Sequence, residues 1–445
     1  MPSSSSTPIS HPYHHYLLSH RYIYTQLATK FKLQTRDENF VSVIGLWRHK
    51  ISGIDLGING RDMHWLATMS TLSFIIITIS QGIAFFQATN DRDVVKMFEC
   101  FSTISFCGVG LLKLYSLKGR QERWYSLLSR ASYLEIQLLN TEDSTNADYE
   151  SEDEEDDMFQ KHITKYTQKF TSTSNMLFRI YAVTVVIYIS SPFIEYVIRK
   201  IEGSEVLEYP HILPVWTAIE KIFFPVYVVS IVAEVLAAIY CVVVHAVFDL
   251  STVGMMIFIH GQFLLLRESC ERIGGGGRIC DLSKERDLRA HFRISRCQRI
   301  HASLVQSANE LSSLTKNILG IYFNMVTLTL CSVAVQVLSH ELSRTQVFTL
   351  LQYMGASLVQ LFLFCYYGDD VINESSFSIG EGPSASAWWC LSPRIRREVA
   401  FLCLSVTRRC RLLAGLFHLV NLPAFIQIIR TAYSYYAVIR QRSSN

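Results

Sequence analysis

Residues 422–441 read LPAFIQIIRTAYSYYAVIRQ. At ~20 residues the segment is long enough to cross a bilayer, yet it carries three tyrosines, two glutamines, a serine, a threonine and two arginines. Its start is well marked: Asn421 can cap a helix and Pro423 suits the first turn. On a helix turning about 100° per residue, Gln427, Thr431, Ser434, Val438 and Gln441 fall within about 60° of one direction. That stripe is polar except at Val438. Polar side chains inside a membrane face a bundle interior or water, and one apolar ring in a wet path closes it by dewetting. The segment therefore reads as a pore-lining helix with Val438 as its gate. Arg430 points about 80° off the stripe and reads as a snorkelling anchor. The competing reading leaves Thr431 and Ser434 in ordinary helix contacts.

The rest of the chain suits such an element. Of 445 residues, 49% are hydrophobic and only 18% charged, against roughly 25% charged in an average soluble protein. The mean hydropathy is positive. A net charge of +3 is too small for a nucleic-acid binder, so no nucleic-acid partner is expected. The first twenty residues have no long apolar core, and no cleaved signal peptide is expected.

Six further apolar segments precede the last one, at 66–86, 94–116, 176–198, from Lys221 through Phe248, at 317–339 and at 347–368. The expected fold is an all-α membrane protein of seven transmembrane helices. The stretch 394–420 has its own apolar periodicity and reads as a separate amphipathic helix ending near Gly415. The expected domains are an N-terminal segment 1–65, helices 1–6 over 66–393, an anchor helix over 394–420 and the last helix with its short tail over 421–445.

Lysine and arginine concentrate on the cytoplasmic side of membrane proteins. Thirty lie in the N-terminal segment and the 2–3, 4–5 and 6–7 connections, against six on the opposite side. The N-terminus is expected inside and the C-terminus outside. This orientation opposes a G-protein-coupled receptor, whose Asp-Arg-Tyr and Asn-Pro-x-x-Tyr signatures are also missing. None of the eleven cysteines then falls in an outer loop, and no disulfide is expected.

Several local signals carry little chemistry. The acidic run DYESEDEEDD at 148–157, within 147–157, reads as a disordered insertion. Gly274–Gly277 lacks the ending of a phosphate loop and reads as a hinge. Asp369 and Asp370 read as a solvated helix end, and His260 and Gln262 as partners for neighbouring helices. There is no CxxC pair, HExxH motif, Ser-His-Asp arrangement or carboxylate pair within a span. Neither a catalytic site, a metal nor a cofactor is expected.

The stretches FLFCYYGDDVINES and LAGLFHLVNLPAFIQIIRTAYSYYAVIR, with LPVWTA and AVFDLSTVGMMIFIHGQFLLLRE around span 4, resemble the insect odorant receptors over nearly all of residues 40–441. The gustatory branch ends in a Thr-Tyr…Gln-Phe tail that this chain lacks. The family's co-receptor carries an insertion between spans 4 and 5 that is also absent, so the chain resembles a tuning subunit. The resemblance implies an odorant-gated, nonselective cation channel in the plasma membrane of olfactory sensory neurons, a heterotetramer with co-receptor subunits. It implies that the last helix lines the pore, that the helix before it belongs to an inter-subunit anchor, and that Val438 and Gln441 match the gate valine and a following glutamine. It also puts the odorant pocket in the outer half of the subunit. Odorants are small and apolar, so an aromatic cavity with few polar groups is expected. The outer halves of spans 2, 3, 4 and 6 offer Phe98, Phe101, Tyr188, Phe224, Tyr227, Phe348 and Tyr353. A gustatory-type channel and a secondary transporter are the alternatives.

Overall fold

The computed structural model describes residues 65–139, 149–202, 209–215, 224–275, 282–338, 343–407, 410–416 and 418–443. The N-terminal segment before Trp65, Cys280 and half of the four-glycine run lie outside them. Ten α-helices carry the described chain: α1 Trp65–Asn90, α2 Val94–Gly119, α3 Gln121–Leu139, α4 Tyr149–Ile201, α5 Phe224–Glu271, α6 Lys284–Leu338, α7 Arg344–Ser376, α8 Glu381–Ala385, α9 Pro393–Val406 and α10 Leu422–Ser443. A two-residue hairpin, β1 Leu413–Ala414 against β2 His418–Leu419, precedes α10. Six helices are long and apolar enough to cross a membrane. The helix α10 is not among them, because Arg430 and its polar stripe dilute its hydropathy.

The apolar segments are parts of longer helices. The helix α4 has 53 residues and α6 has 55, about 80 Å each at ~1.5 Å per residue. The reason is legible in α6, whose charged first half hides a stripe at alternating spacings of four and three. Ala290, Ile294, Cys297, His301, Leu304, Ala308, Leu311, Thr315 and Ile318 are all buried. Such a face is bound by packing, not by hydropathy, and it carries the helix well beyond the apolar segment. The connections that hold most of the positive charge are therefore largely helical.

At the centre runs α5, buried without interruption from Val244 to Ile259. A helix that is apolar all round belongs inside a bundle, and α5 packs against α1, α2, α4, α6 and α7. Side-chain caps start its neighbours. Asp93 accepts from the Lys96 N–H ahead of α2 at 3.1 Å, and Ser343 and Gln346 form a reciprocal capping box on α7.

Three expectations are corrected. Residues 149–157 of the acidic run are helical, the opening turns of α4. The amphipathic helix before α10 ends at Val406 and not near Gly415. Gly415 turns the hairpin at φ +67°, a conformation that stops a helix. Cys390, 1% exposed, is disulfide-bonded; compartment alone says nothing of proximity.

Candidate functional site

A cavity of about 820 Å³ opens at the end of the bundle where α2, α5 and α7 begin and α4 and α6 end. Its walls include Glu99, Ser102, Phe106 and Cys107 of α2, Thr184 and Tyr188 of α4, Cys241 of α5, Gln336 of α6 and Tyr353 of α7. The segment 209–215 between α4 and α5 forms a further wall. The volume lies within the ~300–1,000 Å³ typical of small-molecule sites.

The segment 209–215 has no secondary structure of its own, and one carboxylate holds it. Glu234, fully buried on α5, accepts from the Ile212 N–H at 2.9 Å, the Leu213 N–H at 3.3 Å and His211 Nδ1 at 2.9 Å. Buried backbone donors need such partners. Tyr227 Oη adds a bond to the Pro210 carbonyl at 2.9 Å.

Of the aromatic residues expected at the pocket, Tyr188 and Tyr353 line this cavity. Tyr227 and Phe224 stand behind its wall, with rings 4.9 and 6.1 Å from Tyr209. The other three are not among its walls. Phe98 gives only its carbonyl to Ser102 and Ser332, Phe101 packs on Phe85 of α1, and Phe348 is 61% exposed on α7. Phe106 escaped sequence reading; its ring meets Tyr353 edge-on at 6.0 Å. The walls are more polar than expected. Gln336 Nε2 donates to Ser332 at 3.1 Å and to Ser102 at 3.4 Å, and Gln352 Nε2 donates to Thr184 at 2.7 Å.

Beneath the cavity floor lies a buried ion pair. Lys113 Nζ of α2 donates to Asp249 Oδ1 of α5 at 2.6 Å, and the two side chains are 0% and 1% exposed. The other carboxylate oxygen accepts from Tyr181 Oη of α4 and from Gln360 Nε2 of α7, the latter at 2.6 Å. Lys113 also donates to His245 Nδ1 at 3.0 Å. An ammonium has only donors, so Nδ1 is the acceptor and Nε2 carries the hydrogen; it donates to the Phe106 carbonyl at 3.1 Å. Gly110 permits this approach. A Cβ there would stand 3.0 Å from Cys241 Sγ and 3.1 Å from His245 Nε2.

The last helix packs through Ala424, Ile428 and Ala432, against α6 and α7. Asn421 Oδ1 accepts from the Ala424 N–H at 3.1 Å, the expected cap. Gln427, Ser434, Val438 and Gln441 are exposed, Val438 to 65%, while Thr431 and Ile439 are partly buried. Thr431 and Ser434 donate their hydroxyls to the Gln427 and Arg430 carbonyls at 2.8 and 2.9 Å. Their oxygen lone pairs are left for other partners. Asp369 and Asp370 are engaged, by Asn373 at 2.8 Å and by Lys169 at 3.0 Å. Gln262 Nε2 reaches Tyr166 Oη at 3.5 Å. Among the described residues, no group of three or more His, Cys, Asp or Glu could hold a metal ion.

The family model described as 7tm odorant receptor matches residues 93–433. The chain belongs to the insect odorant receptor family. Its similarity to individual receptors is spread along the sequence. It is 22% identical over 404 residues to odorant receptor 22c of Drosophila melanogaster, covering 89% of this chain and 94% of that one. With odorant receptor 13a of the same fly it shares 22% over 387 residues, 82% of this chain and 84% of the other. The insect olfactory receptor OR5 from Machilis hrabei, solved in complex with eugenol, superposes with a TM-score of 0.72 at 13% identity, over 90% of this chain and 97% of that chain. At that identity the likeness is one of fold. The receptor is thus a multi-pass membrane protein of the odorant receptor kind.

Proposed function

We propose that this receptor is the odorant-binding subunit of a ligand-gated, nonselective cation channel. It works with olfactory co-receptor subunits as a heterotetramer in the plasma membrane of olfactory sensory neurons. Seven helices cross the membrane, α10 being the seventh, with the N-terminus inside and the C-terminus outside. The observation that carries the reading is the pairing of two features. One is a cavity of about 820 Å³ that opens at one end of the bundle. The other is a helix that leaves Gln427, Ser434, Val438 and Gln441 exposed while packing its opposite side on α6 and α7.

The odorant enters the cavity between α2, α4 and α7, against Phe106, Tyr188 and Tyr353. Fold kinship with a receptor solved holding eugenol supports a volatile of that size. The polar rungs on the walls favour a ligand with one hydrogen-bonding group on an apolar frame, because an unmatched buried polar group is costly. In the pore, Gln427, Thr431 and Ser434 present oxygens to cations, Val438 closes the path while dry, and Gln441 stands one turn beyond it.

Current recorded from cells expressing the chain with the co-receptor tests the reading. Rapid cation current evoked by volatile ligands, independent of G-protein signalling, is expected. Ligand uptake without current overturns it in favour of a transporter. A tag after Asn445 stained on intact cells, and one before Met1 stained only after permeabilisation, tests the orientation.

A further inference from the structure

The Lys113–Asp249 pair lies between Phe106 of the cavity wall, reached through His245, and Tyr322 of α6. Removing two charges from water costs more than their attraction returns unless every remaining bond is made. Here Asp249 meets that condition through Lys113, Tyr181 and Gln360. One group at the cluster does not. The Tyr322 hydroxyl of α6 is buried with no hydrogen-bond partner, although its ring centroid lies 5.4 Å from Lys113 Nζ. A buried hydroxyl left unmatched calls for an explanation, and here it is an acceptor free to be used in a second arrangement.

The cluster touches both ends of the path. On the cavity side, the His245 ring stacks on Phe106 at 4.2 Å with planes 3° apart, and Phe106 lines the cavity. On the other side, Tyr322 adjoins Phe323, whose ring faces His418 of the hairpin at 6.4 Å. Two residues before Tyr322, Gly320 meets the main chain of Gly415. The hairpin leads directly into α10.

We propose that Lys113, Asp249, His245 and Tyr322 form a two-position link between the odorant cavity and the pore helix, resting on the channel reading above. In the resting position His245 Nδ1 accepts from Lys113 and the Tyr322 hydroxyl is idle. A ligand pressing on Phe106 shifts the stacked imidazole and withdraws Nδ1 from Lys113. The Tyr322 oxygen then replaces it as acceptor from the ammonium. That movement of α6 at Tyr322 displaces the hairpin, and with it the base of α10. No charge leaves the pair in either position, so the exchange trades one hydrogen bond for another.

The decisive variant is Tyr322→Phe. It removes a hydroxyl that makes no bond in the resting structure, so a purely structural role for Tyr322 has nothing to lose. The measurement is current from the chain with its co-receptor at matched surface expression. The probe is the strongest activator from a panel of volatile phenols, esters and alcohols, eugenol among them. The expected result is a fall of about tenfold in maximal evoked current, the equilibrium worth of one ordinary hydrogen bond, with the leak of a Val438→Ser background preserved. Keeping the leak while losing the evoked current places the defect between cavity and pore. His245→Phe keeps the stack on Phe106 and loses the resting bond to Lys113, so it should raise basal current or odorant potency. An unchanged maximum in Tyr322→Phe overturns the link while leaving the channel reading intact. Loss of the Val438→Ser leak also overturns it, since the variant then damages the pore itself. Absence of evoked current from the unmodified chain overturns the channel reading and the link together.

Discussion

Gly320 of α6 and Gly415 of the hairpin meet backbone to backbone: a Cβ built on Gly320 would lie 2.5 Å from both the Cα and the nitrogen of Gly415. The Gly415 N–H donates to the Lys316 carbonyl at 2.7 Å in the same contact. A second seam lies on α7, where a Cβ on Gly368 would stand 2.3 Å from the Val420 carbonyl oxygen. The base of α10 is therefore clamped to α6 and α7 by main chain, with no side chain able to yield.

Gly320→Ala should then cost about 1–3 kcal/mol, the usual penalty for overpacking a site that cannot relax. The obstacle is backbone, which places the expectation at the upper end. Thermal unfolding of the purified receptor is the measurement. Gly355, whose Cβ would meet nothing within 4 Å, is the matched control on α7. Equal melting temperatures for Gly320→Ala and Gly355→Ala would show that the clamp yields.

Glu234→Ala should loosen the wall at 209–215. It strands the Ile212 and Leu213 N–H groups, each unmatched buried donor costing about 1–3 kcal/mol. Faster amide exchange at these two residues is expected, along with weaker odorant potency. Glu234→Gln keeps one acceptor oxygen and should lie between. Unaltered exchange in the alanine variant would mean that the segment is held by something other than this carboxylate.

Tyr353→Ala and Tyr188→Ala enlarge the cavity from two sides, and both should change which volatile ligands activate. Phe348→Ala removes an aromatic ring of similar size from an exposed position on α7. It should leave the ligand profile unchanged at equal surface expression. Potency rankings across a ligand panel decide the matter. A shift with Phe348→Ala and none with Tyr353→Ala would move the binding site off the cavity.

Val438→Ser should leak current without odorant, because a polar ring is cheaper to wet. Ile439→Ser, about 100° away on the helix and partly buried, should not. Gln441→Ala should alter relative cation permeability and not leak. Basal current and reversal potential separate the three. A leak from Ile439→Ser with Val438→Ser silent would require a helix rotated from the assigned face. In the proposed heterotetramer, co-receptor subunits would contribute to the same ring and dilute each effect.

Sequence alone determined what local chemistry can carry. Apolar segments of sufficient length placed the crossing helices, because a bilayer demands length and hydropathy and little else. Asn421 and Pro423 placed the start of α10, because caps act within one turn. The polar stripe from Gln427 to Gln441 was visible from helical period alone, whereas Tyr188 and Tyr353, which line the cavity, were singled out only with the help of the family resemblance. Tertiary structure decided the rest. Phe106, the wall at 209–215 and the contact of Gly320 with Gly415 depend on which helices meet and at what distance, which no periodicity encodes. Lys113 and Asp249 stand 136 residues apart, and each alone reads as an isolated charge. Glu234 was the one available signal, a lone acid in the apolar run between Lys221 and Phe248. Its meaning waited on the fold, because a buried carboxylate is explained only by the donors brought to it, and these lie 21 and 22 residues away on a segment without regular structure.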